Sequence, residues 1–288
     1  MSEVCENWTQ WLKQNRFAGQ TPEMIEQTIK WLEAVRDVIL VYAEIQPHET
    51  ILDIGTGTGL LAFKALELQN CKGNVIFSDK FQDCLLDCQR ILDQSCINEG
   101  YQMLLCPCEH IALPDSTVHK ALMRSVLVHI VNKQPAINDI YRVLKPGGKF
   151  CAFEPIISSN TRYWEILDPV YIDKYEDFKK AENEMMENPL DSLCNFDQNT
   201  LKMNLEIAGF SNSDVKLQEV KSNYVVQEGM VAQWFNNPPS PGQPTTKERY
   251  MKYFDEGAVD KFISDAQKYL TGREISLKTN AVFINATK

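Results

Sequence analysis

Several things are scarce in this sequence, and each absence narrows the field. No run of 18 consecutive apolar residues occurs, so no membrane-spanning helix is expected. The first twenty residues carry Glu3, Glu6, Trp8 and Trp11 but no apolar stretch, which argues against a secretory signal. Positive charge is in deficit: 29 Lys and Arg face 39 Asp and Glu, a formal charge of -10. Such a surface repels phosphate backbones, so neither nucleic acid nor a membrane is the expected partner. Internal repeats and low-complexity tracts are missing too. The nine cysteines, scattered from Cys5 to Cys194, are an odd number and suit reduced thiols in the cytoplasm better than a disulfide framework. With 288 residues, 44% hydrophobic and 24% charged, the chain has ordinary globular usage and ample length for its own core.

Hydrophobic periodicity then sets out an order of elements. After Thr21-Pro22, a helix start with proline in its first turn, Ile25, Ile29, Leu32, Val35, Ile39 and Tyr42 recur at helical spacing up to Pro47. Thr50 to Ile54 reads as a buried strand, Leu60 to Leu68 as a helix and Val75 to Ser78 as a strand. Phe81 to Ile97 follows as a helix, then strands at Gln102 to Leu105 and Ala121 to Val128, and a helix at Ala136 to Leu144. A Lys145-Pro146-Gly147-Gly148 turn leads to a strand from Lys149 to Phe153. Alternation of this kind predicts an α/β fold, a doubly wound and mostly parallel sheet covered on both faces. Further strands are expected at Asp214 to Val220 and Ser276 to Ala286, with a helix from Asn199 closed by Gly209.

The predicted organisation is an N-terminal helical segment or lid (1–46), an α/β core (47–155), a cap insertion (156–193), a core continuation (194–221), a second cap insertion (222–274) and a last core strand (275–288). The caps hold Tyr163, Trp164, Tyr171, Tyr175, Tyr224, Trp234, Phe235, Tyr250, Tyr253 and Phe254, mostly core rings, with some expected around a pocket. Trp8, Trp11 and Phe17 either fold over the site or pack on the Ile25 helix.

The strongest chemical signal is Ile51-Leu52-Asp53-Ile54-Gly55-Thr56-Gly57-Thr58-Gly59, a strand that runs into three alternate glycines and then a helix. Such a loop brings bare backbone and a helix N-terminus to a nucleotide-like ligand. Gly57, Gly59 and Ala62 also satisfy a dinucleotide pattern, so an NAD(P)-dependent oxidoreductase is the alternative reading. Asp79 closes the next strand, about twenty residues on, where an acid can accept hydrogen bonds from a ribose diol; capping the following helix is its bland role.

From Thr50 to Glu154 the chain resembles class I S-adenosylmethionine-dependent methyltransferases. The glycine run is similar to that family's first motif, Ile111-Ala112-Leu113-Pro114-Asp115 to the stretch after its third strand, and Arg142-Val143-Leu144-Lys145-Pro146-Gly147-Gly148-Lys149 to the turn before its fifth. This last motif speaks against an oxidoreductase. The resemblance implies S-adenosyl-L-methionine as cofactor, a small-molecule acceptor and a seven-stranded sheet with an antiparallel member. It also implies roles for single residues. Asp53 would hold the methionine amino group. Gly55, Thr56, Gly57 and Gly59 would lay backbone along the methionine and ribose, and Asp79 would take the ribose hydroxyls. Lys80 and Phe81 would lie along the adenine, and Arg124 and Ser125 at the amino-acid end.

Two positions depart from the family pattern. Pro107 stands where an acid commonly binds the adenine amino group, which leaves that contact to the Cys108 backbone or to Glu109; His119 stands where an Asp commonly precedes the fourth strand. His129 and Glu154 are the candidate catalytic residues, each with a bland alternative: a surface histidine, and a cap on the next segment. His48 and His110 read as structural or solvent-facing. Cys84, Cys88, Cys106 and Cys108 lack a zinc spacing, so no metal is expected. A cofactor-binding protein without catalysis remains a further reading.

Overall fold

The computed structural model describes residues 3–15, 22–239 and 242–288. The helices are α1 (Glu3–Asn15), α2 (Pro22–Ala43), α3 (Leu60–Gln69), α4 (Gln82–Gln94), α5 (Lys133–Val143), α6 (Tyr175–Met186), α7 (Gln198–Ala208), α8 (Met230–Asn236), α9 (Thr246–Tyr250) and α10 (Glu256–Leu270). The strands are β1 (Thr50–Ile54), β2 (Asn74–Asp79), β3 (Tyr101–Leu105), β4 (Val118–Arg124), β5 (Leu144–Pro155), β6 (Ser211–Val225) and β7 (Glu274–Thr287). Thr21, the expected cap of α2, lies outside the described residues, as does Phe17. Among the described residues no helix is long and apolar enough to cross a membrane.

The chain forms two compact units, one of residues 1–154, 198–217 and 282–288, the other of 155–197 and 218–281. The seven strands follow the order β3-β2-β1-β4-β5-β7-β6. β1 to β5 pair in parallel, in a register that matches Asp53 with Phe77 and Leu122, Phe77 with Met103, and Leu122 with Cys151. All five strands therefore end along one line, with Ile54, Asp79, Leu105 and Arg124 closing β1 to β4 and Glu154 one residue before the end of β5. The sequence order reverses between β1 and β4, which opens a crevice there. β7 runs against β5: Gly147 and Gly148 exchange hydrogen bonds with Lys288, and Ile156 donates to the Asn280 carbonyl.

Why these residues make these strands is plain from burial. Ile51, Leu52, Val75, Phe77, Ala121, Leu122, Phe150 and Cys151 have no exposed surface at all, as strands covered by helices on both faces require. The second unit has its own core, built on rings: Phe178 stacks on Phe262 at 4.0 Å and on Phe254 at 4.1 Å, and Phe235 on Tyr250 at 5.8 Å.

Two sequence motifs meet at one guanidinium. Arg142 on α5 forks onto both oxygens of Asp139 and also donates to the Ile111 and Leu113 carbonyls and to Asp115. Asp139 in turn accepts from the Ile111 N–H. The Ile111–Asp115 segment is thus fastened to the helix that leads into β5; Lys145-Pro146-Gly147-Gly148, expected as a turn, is already the first stretch of that strand, paired with Lys288. His119, the departure from the family's Asp, accepts the Thr50 N–H at Nδ1, 2.8 Å away, and so ties the start of β1 to β4.

The planar fork is what serves these acceptors, so Arg142→Lys should lower stability by about 1–2 kcal/mol although it keeps the charge. Urea denaturation reads the difference; an unchanged midpoint would show that the fork is not needed.

Candidate functional site at the carboxyl edge of the sheet

The loop after β1 is held by two buried carboxylates. Asp53, 2% exposed, accepts from the Thr56 hydroxyl at 2.7 Å and from the Ala62 N–H at 3.1 Å. Burial pushes its carboxyl up to about 7, against the pull of those two donors. Asp79 accepts the Gly57 N–H at 2.9 Å with one oxygen and the Phe81 N–H at 2.9 Å with the other. The acid at the end of β2 therefore shapes the glycine loop and the entry to α4 together. From below, the Cys88 thiol donates to the Gly57 carbonyl at 3.5 Å, and burial raises its pKa. Cys88 has the part of a buried hydrogen-bonding thiol under the loop.

The three loop glycines have different reasons. All have positive φ. A Cβ on Gly55 would meet Val126 Cγ2 at 2.4 Å, and one on Gly59 would meet the Phe63 ring at 2.3 Å. Those two are demanded by the fold itself. At Gly57 an added Cβ would find nothing nearer than the Gly55 carbonyl at 3.9 Å. Here the backbone borders open space.

β4 was expected to run to Val128 but ends at Arg124. Ser125 has φ +56°, and Glu154 gathers the next three N–H groups, which turns the chain into a 3₁₀ segment, Leu127–His129. Glu154 is fully buried; Oε1 accepts from Val126 at 2.8 Å and Leu127 at 3.1 Å, Oε2 from Val128 at 3.1 Å. Burial pushes its carboxyl up to about 7, the three N–H groups opposing. Both oxygens are engaged with backbone, on the segment after β4 rather than on the one after its own strand.

His129 ends that segment. Its Nδ1 is buried and has no hydrogen-bond partner, and burial, then the charge of Lys80, lowers its pKa. The imidazole is therefore neutral at neutral pH. Arg124, at the end of β4, likewise has a buried Nε without a partner, and its guanidinium lies 5.5 Å from the Trp31 ring centroid. The charges of Glu154 and Asp53 act on it. Trp31 on α2, edge-on to Phe153 at 5.8 Å, was not singled out from the sequence, because its ring sits off the apolar stripe of its helix.

The remaining expected contacts lie around the end of β2. Phe81 is exposed, with Lys80 Nζ 4.9 Å from its ring centroid. Cys106 N–H donates to the Asp79 carbonyl, and the buried Cys108 thiol donates to Glu109 at 3.4 Å. On the other side of the loop, Trp8 of α1 is 2% exposed and its indole N–H donates to the Thr58 hydroxyl at 3.3 Å. The side chain of Trp11 lies outside the described residues. Among the described residues no three His, Cys, Asp or Glu side chains gather where a metal ion would sit.

Comparison with known proteins agrees with this geometry. A family model described as a methyltransferase domain matches residues 45–256. A curated relative, the ubiquinone/menaquinone biosynthesis C-methyltransferase UbiE of Francisella tularensis subsp. novicida, is 25% identical over 180 residues, which are 58% of this chain and 69% of that one. The UbiE of Cupriavidus pinatubonensis is 29% identical over 133 residues, 46% of this chain and 51% of that one. Among solved structures, the YcgJ protein of Bacillus subtilis superposes with a TM-score of 0.56 at 16% identity, over 88% of this chain and 98% of that one. Phosphoethanolamine N-methyltransferase 2 of Haemonchus contortus, with S-adenosylhomocysteine bound, gives 0.53 at 15% identity, over 98% of this chain and 60% of that one. With the sheet order, the glycine loop and the two acids that hold it, the match over most of its length establishes that this chain belongs to the methyltransferase-domain family, the class I enzymes that use S-adenosylmethionine.

Proposed function

We propose that the methyl group of S-adenosylmethionine is passed to a small-molecule acceptor at the carboxyl edge of β1, β2 and β4, with His129 as the proton acceptor. The observation that carries this reading is Gly57: its N–H is fixed by Asp79, and open space lies where a side chain would begin. The donor set also suits the cofactor. Asp79 offers the ribose diol the lone pairs that its two backbone donors leave over. Arg124, with a buried Nε still to be satisfied, meets a carboxylate, and Ser125 lies beside it at the amino-acid end. Asp53, whose two protein donors both fall on Oδ2, offers its other oxygen to the methionine amino group. Gly55, Thr56 and Gly59 hold the loop's course, and Lys80, Phe81, Cys108 and Glu109 border the adenine.

When bound, the cofactor supplies an electrophilic methyl group on a sulfonium leaving group. The chain's own contribution is then positioning and exclusion of water. His129, kept neutral by burial and by Lys80, is able to take a proton at an imidazole nitrogen. Glu154 acts through the backbone it grips: it is a positioning residue that sets the turn carrying His129. Trp8 closes one side of the glycine loop. Nine cysteines, an odd number that suits reduced thiols, fit work in the cytoplasm.

Calorimetry with S-adenosylhomocysteine tests the loop. Gly57→Ala, at φ +52°, should cost about 1 kcal/mol of stability yet weaken binding at least about tenfold, and undiminished affinity would defeat the assignment. Asp79→Ala removes acceptors from both loop and ligand, and a loss of about 1–3 kcal/mol in binding is expected. If Asp79→Ala binds like the parent, the ribose role is wrong.

Asp53 also makes stability depend on pH. Its carboxyl titrates near 3.8 when free and is pushed up to about 7 when folded. Between those values the folded chain keeps a proton that the unfolded chain has released, so stability falls as pH rises through this window. Glu154 acts in the same sense, from 4.5 up to about 7. Asp53→Asn should therefore gain on the parent by roughly 1–3 kcal/mol between pH 4 and pH 7.5 in urea denaturation, whereas a constant difference would contradict the burial argument.

A further inference from the structure

The second unit contains a cavity of about 260 Å³ that methyl transfer at the glycine loop does not account for. Its wall includes three aromatic residues, Tyr163, Trp234 and Tyr250, together with Met185, Arg249 and Glu182. The Tyr163 and Trp234 rings are nearly parallel, 18° apart with centroids 6.1 Å from each other. Glu182 is 2% exposed. It accepts the Tyr163 N–H at 2.9 Å with one oxygen and the Trp164 N–H at 3.4 Å, a long contact, with the other. The fully buried Tyr250 hydroxyl is turned toward Glu182, whose charge it feels, yet forms no hydrogen bond of ordinary geometry. A buried carboxylate and the oxygen of a tyrosine hydroxyl thus face one cavity, an electron-rich arrangement that a positive charge would complete.

The charge balance of the wall agrees with that sign. Arg249, the cation in the wall, is committed to an ion pair with Asp191 and also touches Cys194. Arg162 lies outside the wall, donates to the Ser158 carbonyl at 2.7 Å, and has Glu165 on its own backbone N–H. Among the described residues Glu182 makes no ion pair; the charge of Arg162 acts on it, but burial raises its pKa, so a cation in the cavity would be what holds it ionised. Aromatic faces attract cations, and a buried carboxylate beside them adds a point charge of the right sign.

We propose that this cavity binds a small organic ammonium ion, paired with Glu182 and lying against the Tyr163 and Trp234 rings. The inference does not rest on the methyl-transfer reading, since every group it uses lies in the second unit.

The test is calorimetric titration of the full chain, without cofactor, with three probes of one shape. They are choline, its neutral carbon isostere 3,3-dimethylbutan-1-ol, and the anion 3,3-dimethylbutanoate. Choline should bind at least about tenfold more tightly than either, and Glu182→Gln, which keeps a carbonyl acceptor for the backbone donors, should remove about tenfold of that affinity. Trp234→Leu, with an unchanged melting temperature, should lower the preference for choline over the alcohol; this variant decides the matter should Glu182→Gln fail to fold. The proposal is overturned if choline does not bind at millimolar concentration, if the alcohol or the anion matches it, or if neither variant changes its affinity. Unimpaired binding of S-adenosylhomocysteine in those variants separates such a failure from a failure of the cofactor site.

Discussion

The hydrogen bond from the Gly57 N–H to Asp79 is the contact on which the site depends. It joins the end of β2 to the turn after β1, across two neighbouring parallel strands whose register brings both ends to one level. A carboxylate is suited to this because it accepts from two directions, here from Gly57 and from Phe81. Asp53 does the corresponding work within the loop, from Thr56 to Ala62. Two acids, each almost out of contact with solvent, hold a loop whose alternate left-handed residues would otherwise be free to take many shapes. Rigidity there matters because a ligand held by backbone groups is only as well placed as the backbone.

A second organising centre lies on the far side of β1. Glu154 spends its carboxylate on three successive N–H groups, and so ends β4 and sets the direction in which His129 leaves it. Burying an acid costs free energy, and its raised pKa is the sign of that cost. What is gained is a fixed position for a histidine whose own nitrogen is still to be satisfied. The same pattern, a buried acid stabilised by backbone donors, recurs at Glu182 in the second unit.

Much of this was legible in the sequence. Alternating apolar segments gave the parallel strands, because strands covered on both faces are apolar throughout, and the glycine run with Asp79 marked the crevice. Boundaries at the fourth strand were not legible, because Leu127 and Val128 look like strand residues; only Glu154, about thirty residues away, makes them a turn. Gly55 and Gly59 could not be told apart from Gly57 either, since the side chains that exclude a Cβ, Val126 and the Phe63 ring, come from other elements. Trp31 was hidden for a related reason: its value lies in the guanidinium beside it, not in the face of its own helix.

The close approach of Val126 to Gly55 has an evolutionary corollary. A methyl group at position 55 and a branched side chain at position 126 compete for one small volume, so position 55 is not free to grow while 126 stays branched. Lineages that enlarge the first must also shrink the second. Paired substitutions at these two positions, about seventy residues apart along the chain, are the trace such bargaining would leave among descendants of a common ancestor.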